Sequence, residues 1–317
     1  MTTATDSTRT IVTGSKSALP ARRAGSSRNR EQLISWAFLA PFLLAFVLFL
    51  AWPIVHGIIL SFTDQSLTGA GGSFIGFANY AEALADPKMW QSMGNTVWFT
   101  LLSTVPLVVI ALLMAALVDR GLPGQWLWRL SFFMPYLLAS TVISQIWVWI
   151  FNPQIGAANN ILEFFGLEPL AWLQNPDTNM LSIVIATIWW TVGFNFLLYL
   201  AAMQNIPPQQ YEAASLDGAG PWRQFWSITL PQLGPATVLI LILQILASLK
   251  LFDQAYQMLG GVASDTTRSI VQYIYEAGFV SYRFGYSAAI SYVFFALIVI
   301  IGVAQALIMR RRKESQL

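Results

Sequence analysis

A chain of 317 residues in which 56% are hydrophobic and 10% charged, with a mean hydropathy of +0.58, is too apolar for a water-soluble globular domain, whose charged share is typically about 25%. It holds no cysteine and one histidine, which excludes disulfides, thiolate metal sites, thiol nucleophiles and histidine clusters. The formal net charge of +2 is small, and its weight lies in placement: the basic residues gather at the two ends.

Residues 1–32 are rich in Ser, Thr, Ala and Arg without apolar periodicity and read as a disordered basic cytoplasmic tail. The apolar run Ile34 to Leu60 is longer than a signal-peptide core and has no small-residue cleavage site after it, so it is expected to stay as the first span. Five further runs approach the roughly 20 residues that cross about 30 Å of hydrocarbon: Thr96 to Val118, Trp126 to Phe151, Leu181 to Met203, Pro235 to Phe252 and Ala288 to Met309. Lipid forces backbone groups to pair internally, and no period-two alternation of barrel strands occurs, so the fold class is an all-α membrane protein with six transmembrane helices over residues 33–310. Pro41, Pro53, Pro106 and Pro135 fall inside spans and predict kinks. Arg9, Lys16, Arg22, Arg23, Arg28 and Arg30 precede the first span, and Arg310, Arg311, Arg312 and Lys313 follow the last, so both termini, including the tail 311–317, are expected in the cytoplasm. Connections 61–94, 152–180 and 253–287 then lie outside. Arg268 and Arg283 make the third less clean than the others.

The connection 205–231 is then cytoplasmic and reads as two short helices. Asn205 serves as a cap ahead of Pro207 and Pro208, Asp217-Gly218 permits a sharp turn, and a second helix runs from about Pro221 to just before Pro231. Trp222, Phe225, Trp226 and Leu230 recur at helical spacing and form an apolar face that something must cover. From periodicity alone, an interfacial helix resting on lipid explains that face equally well.

Glu212-Ala213-Ala214, three residues, Gly218, nine residues, Ile228, one residue, then Leu230-Pro231 resembles in full the EAA loop of ABC importer permeases, a match at seven fixed positions. The resemblance implies a type I importer permease fold and a coupling element that docks in a groove of a separate ATPase subunit. On that reading Tyr211, Glu212, Ala213, Ala214, Asp217, Gly218, Phe225, Ile228, Leu230 and Pro231 carry the coupling. Glu212 meets a polar or basic group, Gly218 supplies the turn and the apolar positions fill the groove. Phe74, Gly76, Asn79 and Tyr80, then Trp189, Gly193, Phe194, Gln204, Ile206 and Pro207, then Phe252, Asp253, Tyr256, Thr267, Tyr273, Ile274, Tyr275 and Phe279 resemble the carbohydrate-uptake branch, in particular chains like the larger maltose permease subunit. The similarity departs at Leu259-Gly260-Gly261-Val262-Ala263, where that branch usually has Thr-Gly-Gly-Gly-Pro.

For the solute path, Thr187, Trp190, Thr191 and Phe194 share one stripe of the fourth span and fall where maltose-type permeases contact sugar; packing or interface anchoring explains such a stripe as well. Gln244, Ser248 and Lys250 interrupt the apolar fifth span. Lys250 must snorkel, pair with Asp253 or face a wet cavity, and an unpaired Lys250 favours an anionic solute such as glycerol phosphate.

No phosphate-binding loop occurs, nor a catalytic constellation, a metal-ligand set or a nucleic-acid patch, so the chain is expected to be no enzyme and to hold no cofactor. The implied assembly is this permease, a second and non-identical permease, two ATPase subunits carrying ATP and Mg, and an external solute-binding protein that delivers a sugar-like substrate, all at a bacterial or archaeal cytoplasmic membrane whose lipid surrounds the spans. Importers of the same architecture for a non-sugar solute remain open. An ion-coupled carrier is less favoured because intramembrane acids are few.

Overall fold

The structure, a computed structural model, describes residues 24–66, 68–69, 72–121, 123–262 and 264–314, with side chains described within 32 and 34–307. Among them β-pairing is confined to two isolated bridges, Thr63 with Phe74 and Ser66 with Arg283, and all else regular is helical. Four helical stretches are long and apolar enough to cross a membrane, and six if each of two bent pairs counts as one span.

Residues up to His56 form one unit. Helix α1 (Ala24–Phe46) passes through a π-turn (Val47–Ala51) into α2 (Trp52–Ser61), with no described side chain of this unit buried. The helix starts at Ala24, inside the segment expected to be a disordered tail. Residues 24–32 contain no proline, and Arg28, Arg30, Glu31 and Gln32, good helix formers next to the apolar run, let its helix propagate backwards. Residues 1–23 lie outside the described residues.

The second unit starts at Gly57. After α3 (Ala78–Ala85), Asp86 caps α4 (Pro87–Asp119): its carboxylate accepts the Lys88 N–H at 2.9 Å, and Pro87 fills the first turn, where no N–H is needed. Helix α8 (Asn179–Met203) is the central element. Its Phe196, Tyr199 and Met203 bury against Leu107, Ala111, Ala115 and Val118 of α4, whose alanines let the backbones approach.

Two expected spans are discontinuous. In place of one helix over Trp126 to Phe151 there are α5 (Gln125–Phe133), a 3₁₀ turn (Met134–Leu137) that holds Pro135, and α6 (Ser140–Ile150), bent by 99° across the extended pair Leu138 and Ala139. Helix α7 (Ala157–Phe164) follows. The fifth span is α12 (Gly234–Ser248), 15 residues or about 22 Å, and the chain unwinds over 249–252 before α13 (Asp253–Met258). Beyond α14 (Ile270–Tyr275) and a π-turn (Glu276–Val280), α15 (Phe284–Glu314) carries its helix through the basic residues where a tail from residue 311 was expected; residues 315–317 lie outside the described residues.

At the end of the bundle holding 61–94 and 253–287, side chains bind the connections together. Asn79 donates to the carbonyls of Ser61 and Thr63 at 2.9 and 2.8 Å, and Phe62 packs on Phe74, Phe77 and Tyr80. Arg283 forms a two-pronged ion pair with Glu82, and Arg268 pairs with Asp265 and Glu276. Both arginines that blurred the charge count are therefore neutralised by neighbouring acids. Asp86 is withdrawn from water, which disfavours its charge, yet hydrogen bonds from the Tyr273 and Tyr286 hydroxyls and from the Lys88 and Met89 amides outweigh this and hold its carboxyl below the usual range. In Gly260 and Gly261 φ is positive, at the place where the sequence departs from the carbohydrate-uptake pattern; Ala263 lies outside the described residues.

Candidate functional site

At the opposite end, residues 205–232 form a helical hairpin. Helix α9 (Pro208–Leu216) stops in a Schellman motif: Gly218 adopts φ +78°, its N–H bonds the Ser215 carbonyl at 3.0 Å, and the Ala219 N–H reaches the Ala214 carbonyl at 2.8 Å. The return limb is α10 (Pro221–Gln224), a π-turn (Phe225–Thr229) and α11 (Leu230–Gln232). Pro231 does not end this limb as expected. The wider π-turn just before it relieves the crowding a proline ring brings to a normal helix, and the chain bends by 64° only on entering α12.

Of the coupling candidates, Glu212, Ala213, Asp217, Gly218 and Pro231 are exposed, and Tyr211, Ala214, Ile228 and Leu230 are half-buried. Phe225 is 7% exposed, so it cannot fill a groove on another protein. Phe225 touches both tryptophan rings, with centroids 6.5 Å from Trp222 and 5.5 Å from Trp226, but it lies on the inner side of the limb with Thr229 while both tryptophans stay exposed. The outward apolar face is thus Leu216, Trp222 and Trp226, and the Arg120 guanidinium lies over the Trp222 ring, 5.4 Å from its centroid.

Between the two ends, a cavity of about 290 Å³ is lined by all eight residues of the expected solute path: Thr187, Trp190, Thr191 and Phe194 from α8, Gln244 and Ser248 from α12, and Lys250 and Asp253 at the unwound segment. Tyr136, stacked on Phe194 with ring centroids 5.2 Å apart, comes from the break in the third span, and the Trp190 indole donates to the Leu138 carbonyl of the same break at 3.2 Å. Gly193 makes this possible. A Cβ there would sit inside the Phe132 carbonyl and 2.8 Å from the Phe133 Cα.

Polar groups form a chain along the wall. Asn195 donates to Gln244 at 2.8 Å, Gln244 to Ser248 at 3.0 Å, and Ser248 shares a 3.1 Å bond with Ser103; Thr187 donates to Gln254 at 2.9 Å. The second amide atom of Asn195, a residue 1% exposed, has no protein partner. Lys250 and Asp253 do not pair. Helix α12 ends at Ser248 and α13 begins at Asp253, so the three-residue spacing is not a helical neighbour relation, and both charged groups stand exposed at the cavity. Asn195, Tyr136 and Gln254 escaped the sequence reading. Asn195 is the next position of the 187, 190, 191, 194 stripe and could have been found by extending it; Tyr136 depends on a bend no periodicity shows.

The geometry matches known proteins. The family described as "Binding-protein-dependent transport system inner membrane component" matches residues 83–314. The sulfoquinovosyl glycerol transport system permease protein SmoG of Agrobacterium fabrum is 34% identical over 283 residues, 89% of this chain and 92% of that one. The probable ABC transporter permease protein YurN of Bacillus subtilis is 32% identical over 291 residues, 90% and 99% of the two chains. Among solved structures, a chain of a bacterial alginate ABC transporter in complex with an alginate pentasaccharide-bound periplasmic protein superposes with a TM-score of 0.80 at 22% identity, over 91% of this chain and 98% of that one, which extends the likeness to the fold.

Proposed function

Because the chain belongs to the family of binding-protein-dependent transport system inner membrane components, and so is a permease of an ABC importer rather than an enzyme, we propose that it carries a sugar or sugar derivative, delivered by an external binding protein, through the cavity at Trp190 and Lys250. The observation that carries the reading is the composition of that cavity: aromatic faces from Tyr136, Trp190 and Phe194 stand beside amides, hydroxyls and two unpaired opposite charges, the set that stacks on a sugar ring and bonds its hydroxyls. Its 290 Å³ lies at the small end of ligand sites, suited to one sugar unit at a time. Sulfoquinovosyl glycerol and alginate, named for two similar proteins, are consistent with this.

The mechanism follows from the two ends. ATP and Mg sit on two partner ATPase subunits; ATP closes them, the exposed face of Leu216, Trp222 and Trp226 follows, and the hairpin passes the motion to α8 and α12, which it joins directly. A second permease completes the pore. The hairpin faces the cytoplasm with both termini, in a bacterial or archaeal membrane. The Lys and Arg residues that flank the first span on its N-terminal side and follow the last span support this sense. Broken helices are also a mark of ion-coupled carriers, but Asp253 is the sole carboxylate among the described residues lining the cavity.

The test is reconstitution of the chain with its operon neighbours. An ATPase co-purifies, and Trp190→Ala and Lys250→Met raise the solute concentration needed for half-maximal uptake while leaving assembly intact. Single cysteines, introduced into a chain that has none, react from the cytoplasmic side at Asp217 and from the outer side at Ser281. Asp217 labelling from outside, or no ATPase in the complex, overturns the proposal.

A further inference from the structure

The return limb is seated by buried Phe225 and Thr229, but little apolar packing holds α9 against it. Helix α9 buries no residue, Leu216 is 91% exposed, and Trp222 and Trp226 face outward. Polar ties take the place of a core. The Gln224 side-chain amide donates to Ser215 Oγ at 2.8 Å and to the Ala219 carbonyl at 3.0 Å, with the Tyr211 carbonyl at 3.5 Å. Ser215 Oγ itself donates to the Tyr211 carbonyl at 2.8 Å, and the Tyr211 hydroxyl bonds Thr229 Oγ1 at 2.9 Å. One amide nitrogen on the return limb therefore reaches both α9 and the turn after Gly218, and its donor role is fixed by the carbonyl it meets.

We propose that Gln224 is the positioning residue that stiffens this hairpin and so sets how much solute is moved per ATP hydrolysed. The inference rests on the coupling role proposed above. Without the tie, the limbs are joined by the turn at Gly218 and by the Tyr211–Thr229 and Gln210–Gln232 bonds, which brace the start of α9 and leave its turn end, at Ser215 and Leu216, to tilt against a return limb held by Phe225 and by Arg120 over Trp222. A push on the docking face is then absorbed as flexing of the turn instead of rotating α8 and α12. ATP continues to be spent and transport lags.

The experiment uses the full complex, permease, ATPase and binding protein, in proteoliposomes, with uptake and hydrolysis measured on the same sample. Gln224→Glu keeps the shape and removes both N–H donors; Gln224→Met keeps the length without donors or charge and serves if the Glu variant fails to assemble. The expected result is normal assembly and basal hydrolysis with the uptake-to-hydrolysis ratio lowered roughly threefold to tenfold, the size set by one net hydrogen bond of about 0.5–1.5 kcal/mol. Ser215→Ala lowers it in the same direction and adds little on top of Gln224→Met. An unchanged ratio in an assembled complex, or uptake and hydrolysis falling in proportion, overturns the inference. Failure of the unsubstituted chain to bind any ATPase instead removes the coupling role itself.

Discussion

Gly218→Ala isolates the backbone's share in coupling. Gly218 has φ +78°, and a Cβ added there meets no atom within 4 Å, so the penalty is that of an L-residue held in the left-handed region, about 1–2 kcal/mol, with no steric clash to confuse it. The two capping bonds, from the Gly218 and Ala219 amides to the carbonyls of Ser215 and Ala214, exist only while that φ is kept. A loss of 1–2 kcal/mol depletes the hairpin conformation roughly 5-fold to 30-fold relative to its alternatives. Uptake in proteoliposomes should fall within that range. Gly218→Asn, whose side chain tolerates the left-handed region, should retain more activity than the alanine variant. Gly220, two residues on, has an ordinary φ of −68° and open space around it, so Gly220→Ala should transport normally. Alanine at 218 performing as well as glycine, or asparagine performing worse than alanine, would refute the argument that this torsion holds the coupling element.

Gly193→Ala should lower the Tm of the detergent-solubilised protein by the equivalent of about 1–3 kcal/mol, because its Cβ must displace main-chain atoms at Phe132 and Phe133 rather than a movable side chain, whereas Gly94→Ala, inside α4 with open space around it, should leave the Tm unchanged or raise it slightly. Asp86 has a lowered pKa in the fold, so its contribution is fully present above the ordinary value of 3.8 and is lost as pH falls through its folded value. Amide exchange at residues 264–283 should accordingly rise in acid below that point, with Asp86→Asn flattening the dependence; an equal rise in the variant would assign the effect elsewhere. The Tyr273 hydroxyl, pushed up to about 12 chiefly by burial and then by Asp86, is neutral below its ordinary pKa of 10, so the same link holds at moderately alkaline pH and is lost as pH climbs through about 12, readable as the tyrosinate absorbance appearing late.

The parts foreseen from sequence are those governed by one period or by fixed spacing. Thr187, Trp190, Thr191 and Phe194 meet at a cavity because α8 is an unbroken helix, and Gly218 turns the chain because only glycine takes its torsion without cost. The misjudged parts sit where the period changes. Hydropathy runs smoothly across both breaks: Pro135 pointed to a kink in the third span but not to a bend of 99°, and nothing marked 249–252, where Lys250, left to snorkel, pair with Asp253 or face a wet cavity, lines the cavity unpaired. Phe225 was assigned to the outer face because periodicity groups it with Trp222 and Trp226 and does not say which edge of an apolar stripe the rest of the fold covers.

The non-helical pairs at 138–139 and 251–252 interrupt two helices beside the cavity, and within a bilayer such backbone persists only where protein or trapped water satisfies it. On the proposed solute path a cargo trades part of its hydration shell for the amides, hydroxyls and aromatic faces that line the cavity and is kept off the lipid. Its transit rate is then governed by how often the doors at either end stand open, and an oilier analogue of the same shape gains no speed.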